Sequence, residues 1–325
     1  MKINLSHGNG GRETSKLIDE LFMKYFRNEK NKIMEDAAVL DVSNKIAFTT
    51  DSFIVKPIFF KGGDIGKLAI CGTVNDLLTR GAVPKYLSAS FIIEEGLDTS
   101  DLEKIVISME ESAIEAGVMI VTGDTKVIDG SGGLYINTSG IGELNKPPFS
   151  IENVKAQDVI IVTGNLGDHH SAIISSRLGI ENDIMSDVTP LNEMVFNLMD
   201  ENIDIHCMRD ITRGGLATVL NEISKSCSKE VNLFEKDIPV LEEVKGLCKI
   251  LGLDPLYMGN EGKMLIIVSK EHEDKAINII RRSKYGRNCA VVGEIREGNR
   301  VILNTRLGGR RIIGELTGEG LPRIC

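Results

Sequence analysis

The stretch Gly62–Leu77, GGDIGKLAICGTVNDL, decides how this 325-residue chain is read. Asp64 stands where a helix N-cap belongs, because its side-chain oxygen can take up a first-turn N–H. Ile65, Leu68, Ala69, Leu77 and Leu78 then supply the apolar side of one long helix. GGDIGKL matches a phosphate-binding P-loop only at its Gly-Lys pair: the required earlier glycine is Lys61, and the Ser/Thr position is Leu68. The stretch therefore predicts a helix with Asn75 and Asp76 inside it rather than a Walker motif. No GxGxxG, GxSxG or HExxH occurs elsewhere.

Outward from this helix, elements of both kinds alternate. Leu17, Ile18, Leu21, Phe22 and Phe26 predict a helix over Glu13–Arg27, followed by strands around Ala37–Leu40 and Lys45–Thr50. Beyond it come a strand at Tyr86–Ile93, a helix from Thr99 to Ala116 closed by Gly117, and strands at Val118–Thr122 and Leu134–Ile141. Asn145-Lys146-Pro147-Pro148 reads as a linker, since consecutive prolines stop helix and ladder alike. In the second half, strands are expected at Val159–Thr163, Met264–Ser269 and Ala290–Ile295, and helices at Leu191–Glu201, Gly214–Ser226 and Glu271–Arg282. This pattern predicts two mixed α/β (α+β) domains, 1–147 and 148–306. Residues 307–325, rich in glycine and holding a proline, read as an unpacked tail.

Composition narrows the function classes. With 42% apolar and 26% charged residues the chain is an ordinary globular one, and no apolar run approaches the roughly 18 residues of a membrane span. MKINLSHGNGG lacks the apolar core of a signal peptide, so the expected address is the cytoplasm, without membrane attachment. The net charge of −9 argues against a nucleic-acid surface. That charge is unevenly spread, because residues 281–325 hold ten Arg or Lys against four Asp or Glu. None of the six cysteines forms a CxxC or a zinc spacing. Cys71, Cys227, Cys248 and Cys289 sit among apolar neighbours as small core residues, Cys207 is undecided, and Cys325 ends the chain.

The chemistry resides in acidic residues at expected element ends. Asp36, Asp51, Asp76 and Asp124 offer the hard oxygens Mg2+ takes while keeping other positions for phosphate and water. Each alone also serves as a turn-former or cap. The glycine runs Gly8–Gly11 and Gly130–Gly133 can wrap phosphate with backbone N–H groups, though loop glycines look the same. Lys67, Lys126 and Arg12 can neutralise phosphate charge. A terminal thiol on a glycine-containing arm reads as a carrier; prenylation is excluded, since that signal needs its cysteine four from the end.

Ser6–Arg12 (SHGNGGR), Gly62–Leu77, Val121–Val127 (VTGDTKV), Arg209–Glu222 (RDITRGGLATVLNE), Gly259–Lys263 (GNEGK) and Leu321–Cys325 (LPRIC) together resemble the HypE family of hydrogenase maturation factors. That family lies within the PurM-like superfamily of ATP-using enzymes. The resemblance implies a PurM-like two-domain fold whose N-terminal domain pairs with its copy, as a homodimer, into a β-barrel. It implies ATP and Mg2+ as cofactors, and as partners the carbamoyltransferase HypF and the HypC–HypD complex. The implied reaction is ATP-dependent dehydration of an S-carboxamide on Cys325 to an S-cyanide, the source of the cyanide on hydrogenase iron.

Carried over by position, Asp36, Asp51, Asp76 and Asp124 match the metal and nucleotide carboxylates. Gly8, Gly10, Gly11, Lys67, Thr73 and Asn75 match nucleotide-contacting runs, and Lys126 and Glu261 match proton-transfer positions beside Cys325. Asp210 and Arg213 either line the site or brace the helix that follows. One departure is His170, in Gly167-Asp168-His169-His170, where the family usually has glycine; its side chain is expected to narrow a tight turn. Two rival readings are another PurM-like enzyme, of the selenophosphate synthetase or purine-ligase kind, and a non-catalytic thiol carrier. The first has no use for a terminal cysteine, and the second no use for Asp76 or Lys126.

Overall fold

The computed structural model describes residues 2–8, 16–29, 40, 42 and 45–316. A π-helical turn, Ile18–Phe22, runs into α1 (Met23–Phe26). Then follow β1 (Lys45–Phe53), the short β2 (Phe59–Phe60) and β3 (Gly63–Asp64), α2 (Ile65–Thr79), β4 (Val83–Glu94), α3 (Thr99–Ala116), β5 (Met119–Ile128) and β6 (Leu134–Leu144). The four long strands form one sheet in the order β1-β6-β4-β5, antiparallel except for β4 and β5, which α3 connects in parallel.

Helix α2 starts because Asp64 caps it, Oδ1 accepting from the N–H groups of Gly66 (2.7 Å) and Lys67 (3.1 Å). It is buried on nearly every side. Gly66 lets α3 approach, since a Cβ there would lie 2.5 Å from the Ile105 carbonyl oxygen, and at Gly72 it would lie 2.8 Å from the Phe53 ring.

The second half continues with β7 (Val159–Val162), α4 (Asp168–Leu178), α5 (Asn192–Asp200), β8 (Ile205–Asp210), α6 (Gly215–Cys227) and β9 (Lys229–Phe234). It ends with α7 (Glu242–Leu251), β10 (Met264–Val268), α8 (Glu273–Arg282), β11 (Ala290–Glu297), β12 (Val301–Asn304) and β13 (Arg310–Ile312). Its seven strands run β13-β12-β9-β11-β7-β10-β8, with β9 and β12 the one parallel pair. Both faces of this sheet are covered. Met264, Ile266 and Val268 of β10 join the core under α2, α5 and α8, whereas Leu265 and Ile267 join the core under α6. The first of these cores includes side chains of both domains, so α2 packs between them.

Several expectations shift. The tail does not begin at 307: β13 pairs with β12, Ile313 is buried with its N–H on the Val301 carbonyl, and the Tyr257 hydroxyl donates to Gly314 O (3.0 Å). Helix α4, strands β8, β9, β12 and β13, and helix α7 were not legible as elements. Cys207 lies buried in β8, where burial pushes its thiol up to about 11. Residues 37–39 of the expected early strand and 13–15 of the first helix lie outside the described residues. No helix among the described residues is long and apolar enough to cross a membrane.

Candidate functional site

Asp51 on β1 and Asp76 on α2 meet on the helix-covered face of the first sheet, and Asp210, at the end of β8, joins them from the second domain. The Thr49 hydroxyl donates to Asp76 Oδ2 at 2.8 Å, and Asp51 Oδ1 accepts from the Ser52 N–H at 2.8 Å. Burial pushes the Asp76 carboxyl up to about 6, with the negative charges of Asp210 and Asp51 adding and Thr49 and Arg209 opposing. Asp51 is raised by burial, held back by the Ser52 N–H and Arg213, and raised further by Asp210. Asp210 and Arg213 thus line the cluster. Mutual repulsion among these carboxylates disfavours their all being ionised together.

Asp124 and Lys126 are elsewhere in the same chain. Lys126 Nζ holds both Asp124 oxygens, at 2.6 and 2.5 Å, which keeps that carboxyl low. Register puts Asp124 in one row with Ser90, Asn137 and Ser52, whereas Asp51 shares its row with Thr138, Ala89 and Gly123. The two sets therefore occupy opposite faces, and β1 and β5 are opposite edges, about 14 Å apart at ordinary strand spacing. The face carrying Asp124 and Lys126 is bare: Phe48 is 66% exposed, and Ile46, Ile92 and Ile128 are exposed among the polar side chains of Thr50, Ser52, Asn137 and Ser139.

Other expected contacts are redirected. Thr73 is enclosed, its hydroxyl paired with that of Thr138. Lys67 sits at the start of α2, nine residues and about 14 Å along the axis from Asp76. The Gly130–Gly133 run is a carboxylate-capped turn rather than a phosphate cradle. Glu94 Oε2 accepts from the N–H groups of Ser131 and Gly133, both at 2.9 Å, and Oε1 from the Tyr135 hydroxyl at 2.8 Å. Gly8 falls in a short 3-10 turn, Leu5–Gly8. Gly10, Gly11, Arg12, Asp36 and Cys325 lie outside the described residues.

The loop 259–263 carries Glu261, which is 6% exposed. Its N–H donates to Asp187 Oδ1 at 3.0 Å, and its carbonyl accepts from Asn75 Nδ2 at 3.3 Å. Asn75 also donates to Thr189 O (3.0 Å) and accepts from the Leu191 N–H (3.0 Å). Its amide is thus spent on the second domain's backbone. A Cβ at Gly262 would lie 1.9 Å from the Asp187 carbonyl oxygen, so only glycine fits there. Lys263 Nζ stands 3.5 Å from Asp187 Oδ2.

Asn260 Oδ1 accepts from the Gly167 N–H at 2.8 Å and so fixes the start of α4. His170 does not narrow a turn, because it lies buried inside α4 with its N–H on Gly259 O. Burial keeps His169 and His170 low, at about 4 each, and raises Asp168 to about 7 with help from Asp187. Asp187 and Asn260 carry no periodic or spacing signal, and sequence reasoning missed both.

Residues 34–144 match the family model of the AIR synthase related protein N-terminal domain, and residues 155–305 that of the C-terminal domain. The chain is thus a two-domain protein of the AIR-synthase-related class. Carbamoyl dehydratase HypE of Azotobacter vinelandii is 42% identical over 333 residues, 99% of this chain and 97% of its own. A crystal structure of the hydrogenase maturation protein HypE in complex with ATP superposes with a TM-score of 0.95 at 45% identity, over 99% of both chains. A chain of a HypE–HypF complex gives 0.81 at 48% identity, over 92% of this chain and 99% of that one. The chain belongs to the HypE family of hydrogenase maturation proteins.

Proposed function

We propose that this chain is an ATP-dependent carbamoyl dehydratase acting on its own C-terminal cysteine. It converts the S-carboxamide of Cys325 to the S-cyanide, the cyanide source for the iron of [NiFe]-hydrogenase. The observation that carries this is the likeness to a carbamoyl dehydratase over 99% of this chain and 97% of that one.

Chemically, the carboxamide oxygen is a poor leaving group until it attacks the γ-phosphorus of ATP, releasing ADP. One N–H proton is lost as the C=N bond forms, the other as the C–O bond breaks and phosphate departs, leaving Cys–S–C≡N. Asp51 and Asp76 suit Mg2+, since their oxygens are hard, partly buried and mutually repelling. When bound, the ion offsets phosphate charge. Among the described residues no three His, Cys, Asp or Glu side chains form a metal cage by themselves. Glu261 receives the carboxamide protons, and Lys126, an ammonium paired with Asp124, offers a positive charge rather than a base.

Lys126 lies on the opposite sheet face from the Asp76 cluster of its own chain, and the large apolar side chains exposed on that face support a homodimer. Pairing of two such faces buries Phe48, Ile46, Ile92 and Ile128 in a β-barrel. HypF supplies the carbamoyl group, the HypC–HypD complex receives the cyanide, and the work is cytoplasmic. The deciding experiment is mass spectrometry of the C-terminal peptide of the carbamoylated protein, with and without Mg-ATP. Loss of one water only with Mg-ATP is expected, and an unchanged mass in both samples rejects the dehydratase. Turnover of a small substrate that survives removal of Cys325 points instead to another PurM-like enzyme.

A further inference from the structure

We propose that Asn75 and Asp187 are positioning residues that hold the Glu261 peptide at both ends and so set its carboxylate relative to Asp76. The inference rests on the reading of Glu261 as a proton acceptor. The Glu261 N–H goes to Asp187 Oδ1 at 3.0 Å and its carbonyl to Asn75 Nδ2 at 3.3 Å, so the residue is gripped through its backbone. Gly262 then seats directly on the Asp187 carbonyl, and Lys263 Nζ faces Asp187 Oδ2 at 3.5 Å. These contacts fix the loop from both sides of Glu261.

Asn75 is buried, and its amide binds three backbone groups, those of Thr189, Glu261 and Leu191. Its neighbour on the rigid helix is Asp76, in the carboxylate cluster. The dipeptide Asn75-Asp76 therefore ties the proton-accepting loop of one domain to the phosphate-handling carboxylates of the other. This differs from a nucleotide contact for Asn75, and the two roles separate kinetically. A nucleotide contact moves ATP affinity, whereas a positioning role lowers the rate at saturating ATP.

The test is single-turnover water loss from the full-length carbamoylated protein, with ATP affinity measured alongside. Asn75→Ala and Asp187→Ala are expected to slow the step roughly 10- to 100-fold with ATP affinity unchanged, the size of effect a displaced catalytic group produces. Asp187→Asn keeps an oxygen for the Glu261 N–H and restores most of the rate. Should Asn75→Ala fold poorly, Asn75→Asp keeps the acceptor for Leu191 and removes the donor to Glu261, and slows the step likewise. In a Glu261→Gln background, Asp187→Ala adds little further loss, because it acts through Glu261. Wild-type rates in the Asn75 and Asp187 variants overturn the proposal, as does a fall in ATP affinity matching the rate loss. A wild-type rate in Glu261→Gln instead rejects the reading of Glu261 itself.

Discussion

The two sheets of this molecule are finished to different degrees. The seven-stranded sheet is covered on both faces, and its strand β10, between β7 and the edge strand β8, is fully buried along its length. The four-stranded sheet is covered on one face only; the other leaves Phe48 and three isoleucines in solvent beside the Asp124–Lys126 pair. A sheet closed on both sides needs nothing further for stability. One that leaves large apolar side chains bare presents the face the proposed homodimer would cover.

The largest effect should come from spoiling the bare face. Phe48→Asp places a charge on the face through which the proposed dimer forms and should weaken association by about 4 kcal/mol. Sedimentation should then report monomers, with water loss from the carbamoyl peptide collapsing while the circular dichroism of the fold persists. A dimer that survives this change breaks the comparison. In the covered sheet the same kind of insult acts on folding instead. Leu265→Ala empties core volume under α6 and should cost about 3 kcal/mol in denaturant unfolding, with the oligomeric state untouched.

Next comes a pH effect confined to the covered domain. The carboxyl of Asp168 is raised from its ordinary value to about 7 by burial and by Asp187. For a raised carboxyl the stabilising contribution is complete below about pH 4 and is lost as pH climbs through about 7. Asp168→Asn should therefore leave stability near pH 4 little changed and raise it at pH 8 by on the order of 2 kcal/mol, discounted for partial exposure. Equal stability of the two proteins at pH 8 contradicts the assignment. The smallest change is Tyr257→Phe, which removes the hydroxyl bond to Gly314 and should cost about 1 kcal/mol, seen as faster hydrogen exchange at Ile313.

Local signals were the legible ones. Asp64 as cap, Gly117 as terminator and the apolar set of α2 are fixed by neighbours a few residues away, and each stands where the sequence puts it. Asp76 stood out because a carboxylate inside an apolar helix demands a reason, but the sequence set it equally with Asp36, Asp51 and Asp124 and did not show that Asp124 lies on the other face. The partners of Asn75 were not readable, because Thr189, Leu191 and Glu261 lie more than a hundred positions away. The Gly130–Gly133 run was misjudged for the same reason, since Glu94, which occupies its N–H groups, belongs to another strand. Helix α4 was missed because its first turn, Asp-His-His-Ser, is polar yet buried, which reverses the pattern that marks an amphipathic helix.

The adjacency of Asn75 and Asp76 gives α2 the character of a ruler. Consecutive helical residues differ by about 100° of rotation and 1.5 Å of rise, so one points to the Glu261 loop while the next points to the carboxylates. An insertion or deletion ahead of this pair would turn both off their marks at once, whereas one between them would separate them. Length changes in this helix are thus far more costly than substitutions on it, and natural variation in chain length should fall anywhere but here.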